Sequence, residues 1–130
     1  MSHWAAEYIG KPWVSGDHDC WAFFREIQKK HFGIDVPLID IDSADLMKVA
    51  KRFRDDKERN HWNKVEHPED GDAVLMSHSK FPSHIGIWVD VDGGGVLHCQ
   101  ERTGVVFQRQ MDLILGSWPN LEFYRCLHTA

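Results

Sequence analysis

The chain has 130 residues, the size of one domain, of which 42% are hydrophobic and 27% are charged, as in ordinary globular proteins. Its 15 basic and 20 acidic residues give a net charge of −5, which argues against nonspecific binding to nucleic acid or to an anionic membrane. No apolar run approaches the roughly 20 residues of a membrane span. The start, MSHWAAEYIG, lacks the pattern of a signal peptide. We expect one domain over residues 1–130 that is made in the cytoplasm.

The first long periodic segment follows the loop YIGKPWVSGD. Apolar and aromatic residues recur there at helical spacing and predict a helix over residues 19–32. The stripe comprises Cys20, Phe23, Phe24, Ile27 and His31. Asp17 or Asp19 is a suitable N-cap, and Gly33 is a suitable stop. A second helix is predicted over residues 43–60, and we interpret its charged tail, KRFRDDKERN, as a solvated face.

The pattern changes to short strand-like runs after HPEDGD. The runs are AVLMS, HIGIWVDV, GVLHC, GVVFQRQ and LEFYRCL, and DVDGGG between the second and third predicts a hairpin loop. Helices followed by meandering strands indicate an α+β domain. We expect N-terminal helices packed on one face of an antiparallel sheet of about five strands.

The cysteines have to be judged one by one, because Cys20, Cys99 and Cys126 form an odd set without C-x-x-C spacing. Cys20 lies in the first turn of the first predicted helix, where the helix dipole and unpaired N–H groups favour a thiolate and lower the thiol pKa. The alternative is a small buried hydrophobe, since Cys20 belongs to the apolar stripe. Cys99 and Cys126 are expected to be packing thiols.

A thiol nucleophile needs a base, and the strand half offers two histidines. His84 opens one strand and His98 closes the next, 14 residues later across the hairpin, so both side chains are expected on the same face of the sheet. A helix bearing Cys20 and packed on that face would meet both. For either histidine alone, a structural role is the more common case.

Zinc is the other chemistry that these residues suggest. His78, His84, His98 and Cys99 could cluster in the sheet, but the sequence has neither an HExxH motif nor paired-ligand spacing. We predict neither a metal site nor a cofactor.

Several segments resemble, in order and spacing, the NlpC/P60 cysteine peptidases, a papain-like group known for cutting bacterial cell-wall peptides. They are YIGKPWVSGDHDCWAFFREI, PEDGDAVLM, HIGIWV and GVLH. The start DCW followed by REIQKKHFGIDVP resembles the short phage-tail branch of the family. The resemblance implies a papain-like fold with Cys20 as nucleophile, His84 as general base and His98 as the residue that orients the imidazole.

Three positions depart from the family pattern. The loop tyrosine that helps to bind the oxyanion is replaced by Trp13, a Gly-Gly pair is Ser15-Gly16, and the small pair after the cysteine is Trp21-Ala22. The resemblance implies substrate or oxyanion binding by Trp13, Asp19 and Trp21. Asp19 is also expected to order the start of the helix, and Trp21 either shapes the cleft or packs into the core.

The resemblance therefore implies a thiol-dependent endopeptidase for peptidoglycan stem peptides, and the phage-tail branch implies a place in a virion tail beside other tail proteins. Two alternatives stay open. One is a non-catalytic tail assembly or structural protein that retains the fold. The other is a thiol amidase or acyltransferase with a different substrate.

Overall fold

The computed structural model describes residues 4–14, 19–35, 62–78, 84–116 and 118–126. The predicted helix over residues 43–60 lies outside these ranges. The prediction that residues 1–130 form one domain extends beyond them and stays a prediction. The helices in these ranges all fall short of the length and apolar character needed to cross a membrane.

The first regular elements are a 3-10 helix, Trp4–Tyr8, and the helix α1, Cys20–Phe32. The predicted helix over residues 19–32 is confirmed to within one residue, because Asp19 is the N-cap and Gly33 adopts the left-handed conformation that ends a helix, with φ 68°. The buried side chains of α1 are those of the predicted apolar stripe, except His31, which is half-buried, together with Trp21 and Gln28. Periodicity and end signals together were sufficient to place this helix.

One antiparallel sheet of six strands forms the rest of the described fold, with the order β1-β6-β2-β3-β4-β5. The strands are β1 (Trp62–Val65), β2 (Ala73–Ser77), β3 (His84–Val89), β4 (Gly95–Gln100), β5 (Gly104–Arg109) and β6 (Asn120–Cys126). The antiparallel sheet is as expected, but the expected number of about five strands is too low. The missing strand was β1, an edge strand whose exposed Asn63 and Lys64 give it no apolar signal.

The two faces of the sheet carry different clusters of buried side chains. The face against α1, here called the helix face, comprises Ala73, Leu75, Ile85, Ile87, Val89, Leu97, Cys99, Val105 and Tyr124. The other, here called the histidine face, carries Val74, Met76, Trp88, Val96 and Phe123. A short helix α2, Gln110–Leu115, places Leu113 against the histidine face. This helix is additional to the N-terminal helices that the sequence predicts, and it was missed because six residues are too few to show a period.

Candidate active site

Cys20 is the first residue of α1, and local capping fixes its position. The Asp19 carboxylate accepts a hydrogen bond from the backbone N–H of Ala22 at 2.9 Å, and the Asp19 carbonyl accepts one from Phe23 at 2.9 Å. The side-chain bond satisfies the Ala22 N–H, which a helix start otherwise leaves unpaired, and the bond from Phe23 is the first of the helix itself. Asp19 therefore orders the start of the helix, as expected, and its carboxylate is used in the cap.

The Cys20 sulfur lies beside the start of β3. Backbone N–H groups of Trp21 and Ile85 donate to it, and the side chain is only 2% exposed. Burial raises the pKa of the Cys20 thiol to about 12, and the neighbouring Asp19 carboxylate adds to the rise. The expectation of a lowered thiol pKa is wrong for this state, because two N–H donors do not offset the loss of water around a thiolate.

His84 and His98 form a hydrogen-bonded pair. His84 Nε2 and His98 Nδ1 are 2.9 Å apart, and the two rings meet edge to face with centroids 5.0 Å apart. The prediction that the two side chains share a face is thus confirmed. The strand register makes them diagonal neighbours, since a side chain at Gly86 would meet the His98 Cβ at 3.0 Å.

Burial keeps both imidazoles uncharged at neutral pH. It lowers the pKa of His84 well below the ordinary value, and the adjacent His98 and His78 lower it further. Burial also lowers the pKa of His98 to about 4, against an opposing contribution from its hydrogen bond to Gln108. A neutral imidazole has one unprotonated nitrogen and can act as a base.

Two groups that sequence reasoning missed complete the surroundings of the pair. Gln108 Oε1 lies 2.9 Å from His98 Nε2, and Gln100 donates to the same oxygen at 3.3 Å. Trp118 stacks on His84 with ring centroids 5.1 Å apart, and His78 stacks on Trp118 at 4.2 Å. Gln108 has a weak signal in the sequence, since it is a polar residue two positions after Val106, the strand partner of His98. Trp118 has none.

The helix α1 packs on the opposite face of the sheet from the histidine pair. Its buried side chains contact the helix face, whereas His84 and His98 alternate to the histidine face with Trp88 and Val96. The prediction that the helix packs on the face with the histidines is therefore wrong. The aliphatic side chains of β3 and β4 match the apolar stripe of α1, and the imidazoles do not. The link between the two faces is at the start of β3, where the Cys20 sulfur contacts the backbone N–H of Ile85, the residue that follows His84.

The tryptophans at the departures from the family pattern lie in different surroundings. Trp21 is 4% exposed and stacks on Phe24 within the helix-face cluster, which leaves its ring little surface for a ligand. Trp13 is half-buried against the same cluster. Its loop is held to β5 by bonds from Gly10 N–H to the Val105 carbonyl and from Val105 N–H to the Lys11 carbonyl, both 2.9 Å.

The residues considered for zinc do not converge. Cys99 belongs to the helix face and His98 to the other, while His78 approaches His84 through the Trp118 ring. In the ranges that the structure describes, no three His, Cys, Asp or Glu side chains are grouped as metal ligands. Cys99 thus alternates with His98 as predicted. Cys126 ends β6.

Comparison with known proteins assigns these features to a family. Curated proteins give no match to the chain. The sequence model of the NlpC/P60 family matches residues 9–115, a range that includes Cys20, His84, His98 and Gln108. The family has a papain-like fold, and its members are generally cysteine peptidases or amidases, usually of the cell wall. With most of its length matched and an antiparallel sheet behind a helix that begins at a cysteine, the chain belongs to the NlpC/P60 family.

Proposed function

We propose that the chain is a thiol-dependent amide hydrolase in which Cys20 is the nucleophile, His84 the general base and His98 the residue that orients His84. The observation that carries the proposal is the buried His84–His98 hydrogen bond of 2.9 Å beside a cysteine at a helix start. A base held by a third group is the arrangement that activates a thiol nucleophile. Membership of a peptidase family supports the same assignment.

The chemistry begins from two neutral groups, because the Cys20 pKa is raised to about 12 and the His84 pKa is lowered. As the sulfur attacks the amide carbonyl, the thiol proton passes to the unprotonated nitrogen of His84. The imidazolium then gives that proton to the leaving amine, which leaves an acyl group on the sulfur. Water attacks this thioester with His84 again as base, and the acid product and the thiol are released.

The proposed substrate is the stem peptide of peptidoglycan, the class that members of the family usually cut. We assign Trp13 to the substrate and oxyanion side of the site, because it is half-buried and its indole N–H is a hydrogen-bond donor. The Asp19 carboxylate supports this side of the site through the cap, and Trp21 supports it from the core. The finer proposal, a phage-tail component that opens the wall beside other tail proteins, rests on the start DCW followed by REIQKKHFGIDVP.

The test is digestion of purified peptidoglycan, with released peptides identified by mass spectrometry. The wild type is expected to release stem-peptide fragments, and Cys20→Ala and His84→Ala are expected to release none. Cys99→Ala is the matched control, because Cys99 is also a buried thiol but lies within β4 and not at the start of α1. It should retain activity. Equal release by the wild type and Cys20→Ala would rule out a thiol mechanism.

A non-catalytic assembly protein is the second candidate, and one observation favours it: the Cys20 thiol is buried with a pKa of about 12. A folded wild type that cleaves neither peptidoglycan nor a synthetic stem peptide, and is found in purified virions, would support this candidate. Hydrolysis of other amides, but not of stem peptides, would support the amidase or acyltransferase alternative.

A further inference from the structure

The hydrogen bonds around the histidine pair continue to a third side chain, Gln108 on β5. Its Oε1 is 2.9 Å from His98 Nε2, and His98 Nδ1 is 2.9 Å from His84 Nε2. The amide orientation is supported by Gln100, whose Nε2 donates to the same Gln108 oxygen at 3.3 Å. An unbroken line of polar contacts thus connects β5, β4 and β3.

The chemistry of these groups determines which atom donates and which accepts in each hydrogen bond. An amide oxygen only accepts hydrogen bonds, so His98 Nε2 carries the proton in its contact with Gln108. His98 is fully buried and neutral at pH 7, since its pKa is lowered to about 4, and a neutral imidazole has only one N–H. His98 Nδ1 is therefore an acceptor, and His84 Nε2 must be the donor to it.

His84 is neutral as well, so a proton on Nε2 leaves Nδ1 bare. A bare Nδ1 is the nitrogen that a general base needs. With the proton on Nδ1 instead, the bare nitrogen would be Nε2, which is the atom that faces His98.

We infer that Gln108 is a positioning residue that fixes the tautomers of His98 and His84 and so keeps His84 Nδ1 unprotonated for the thiol proton. The catalytic consequence rests on the proposed function, whereas the proton arrangement itself does not. Gln108 touches neither the thiol nor His84 in the described contacts and acts through His98.

Long-range ¹H–¹⁵N NMR spectra of the ¹⁵N-labelled protein at pH 8 report which ring nitrogen of each histidine carries the proton. The wild type is expected to show the Nε2–H tautomer for both His84 and His98. Gln108→Leu removes the acceptor at similar size and is expected to give mixed tautomers, with kcat on a synthetic stem peptide at least about tenfold lower and KM within about twofold. Gln108→Glu can still accept and should restore both.

Gln110→Leu is the matched control, because it makes the same change at an exposed residue of the neighbouring α2. It should leave the tautomers and kcat as in the wild type, and thermal unfolding confirms that each variant is folded. Tautomers that depend on Gln108 in a protein without hydrolytic activity would support the inference and contradict only the proposed function. A wild-type His84 with its proton on Nδ1, or unchanged tautomers and kcat in Gln108→Leu, would overturn the inference.

Discussion

At the scale of single residues, Asp19 has two effects on Cys20 that oppose each other chemically. Its carboxylate caps α1 through the 2.9 Å bond from Ala22 N–H and so fixes the residue that carries the thiol. The same negative charge adds to the rise in the Cys20 pKa, because it disfavours a second anion nearby. The two effects can be separated, since capping needs an oxygen acceptor and the electrostatic effect needs a charge.

Asp19→Asn is expected to lower the Cys20 pKa while it preserves the helix start. Asparagine caps about as well as aspartate, so the free energy of unfolding should change by less than about 0.5 kcal/mol. The rate of Cys20 alkylation by iodoacetamide, followed from pH 6 to pH 11, reports the thiolate fraction. The curve for Asp19→Asn should lie at lower pH than that of the wild type.

Asp19→Ala is the comparison that isolates the cap. It removes the charge and the acceptor together, so it should lower the Cys20 pKa but also cost about 1 kcal/mol of stability. Identical alkylation curves for the wild type and Asp19→Asn would show that the charge of Asp19 has no effect on the thiol. Urea unfolding of both variants provides the stability comparison.

At the scale of elements, the close pairing of β3 and β4 depends on a glycine. A side chain at Gly86 would lie 2.5 Å from Val96 Cγ1 and 3.0 Å from the His98 Cβ. The valine methyl group can rotate away, but the His98 Cβ is fixed to the backbone of β4. Gly86 therefore lets the two strands approach closely enough for the His84–His98 bond.

Gly86→Ala is expected to separate the strands and weaken this bond. The crowding should cost about 1–3 kcal/mol in the free energy of unfolding, measured in urea. Hydrolysis of stem peptide by the folded fraction should also fall, because His84 is no longer held by His98. The substitution thus acts on the proposed base, His84, although Gly86 itself has no side chain that could take part in the reaction.

Gly93→Ala in the β3–β4 hairpin loop is the control, because it should lower stability without crowding the paired strands. A side chain there meets nothing within 4 Å, and the cost comes only from its φ of +86°. It should destabilise by about 1–2 kcal/mol and leave the rate per folded molecule unchanged. If Gly86→Ala and Gly93→Ala reduce this rate equally, close strand pairing is not what positions the histidines.

The elements also show what the sequence could predict. Period-2 alternation and the hairpin signal placed β3 and β4 and put His84 and His98 on one face, because side-chain direction follows directly from strand spacing. The face on which α1 packs could not be found in this way. It depends on which surface of the finished sheet matches the apolar stripe, a tertiary property that spacing along one strand does not contain.

At the scale of the whole molecule, the sheet separates two environments. The helix face is aliphatic and aromatic and contains both Cys20 and Cys99 in its cluster, whereas the histidine face holds the polar line from His84 to Gln108. Burial on each side suppresses charge. The pKa values of Cys20 and Cys99 rise to about 12 and about 11, and that of His98 falls to about 4.

These two kinds of shift lower the stability of the fold at opposite ends of the pH scale. A buried imidazole with a lowered pKa stabilises the fold above its unfolded value of 6.5, and this stability is lost as the pH falls towards about 4. A buried thiol with a raised pKa stabilises the fold below its unfolded value of 9.0, and this stability is lost as the pH rises towards 11 or 12. Stability should therefore be greatest between about pH 6.5 and pH 9.

Urea unfolding from pH 4 to pH 10 is expected to show this maximum in stability. Two variants identify the residues responsible for the loss of stability on its acid and alkaline sides. The shift of His98 from 6.5 to about 4 corresponds to a loss of about 3 kcal/mol between pH 7 and pH 4. His98→Gln, which does not titrate, should lose less on acidification than the wild type, although it starts from a lower stability. Cys99→Ala should flatten the alkaline side instead. Equal acid losses in the wild type and His98→Gln would mean that this imidazole is not held neutral by burial.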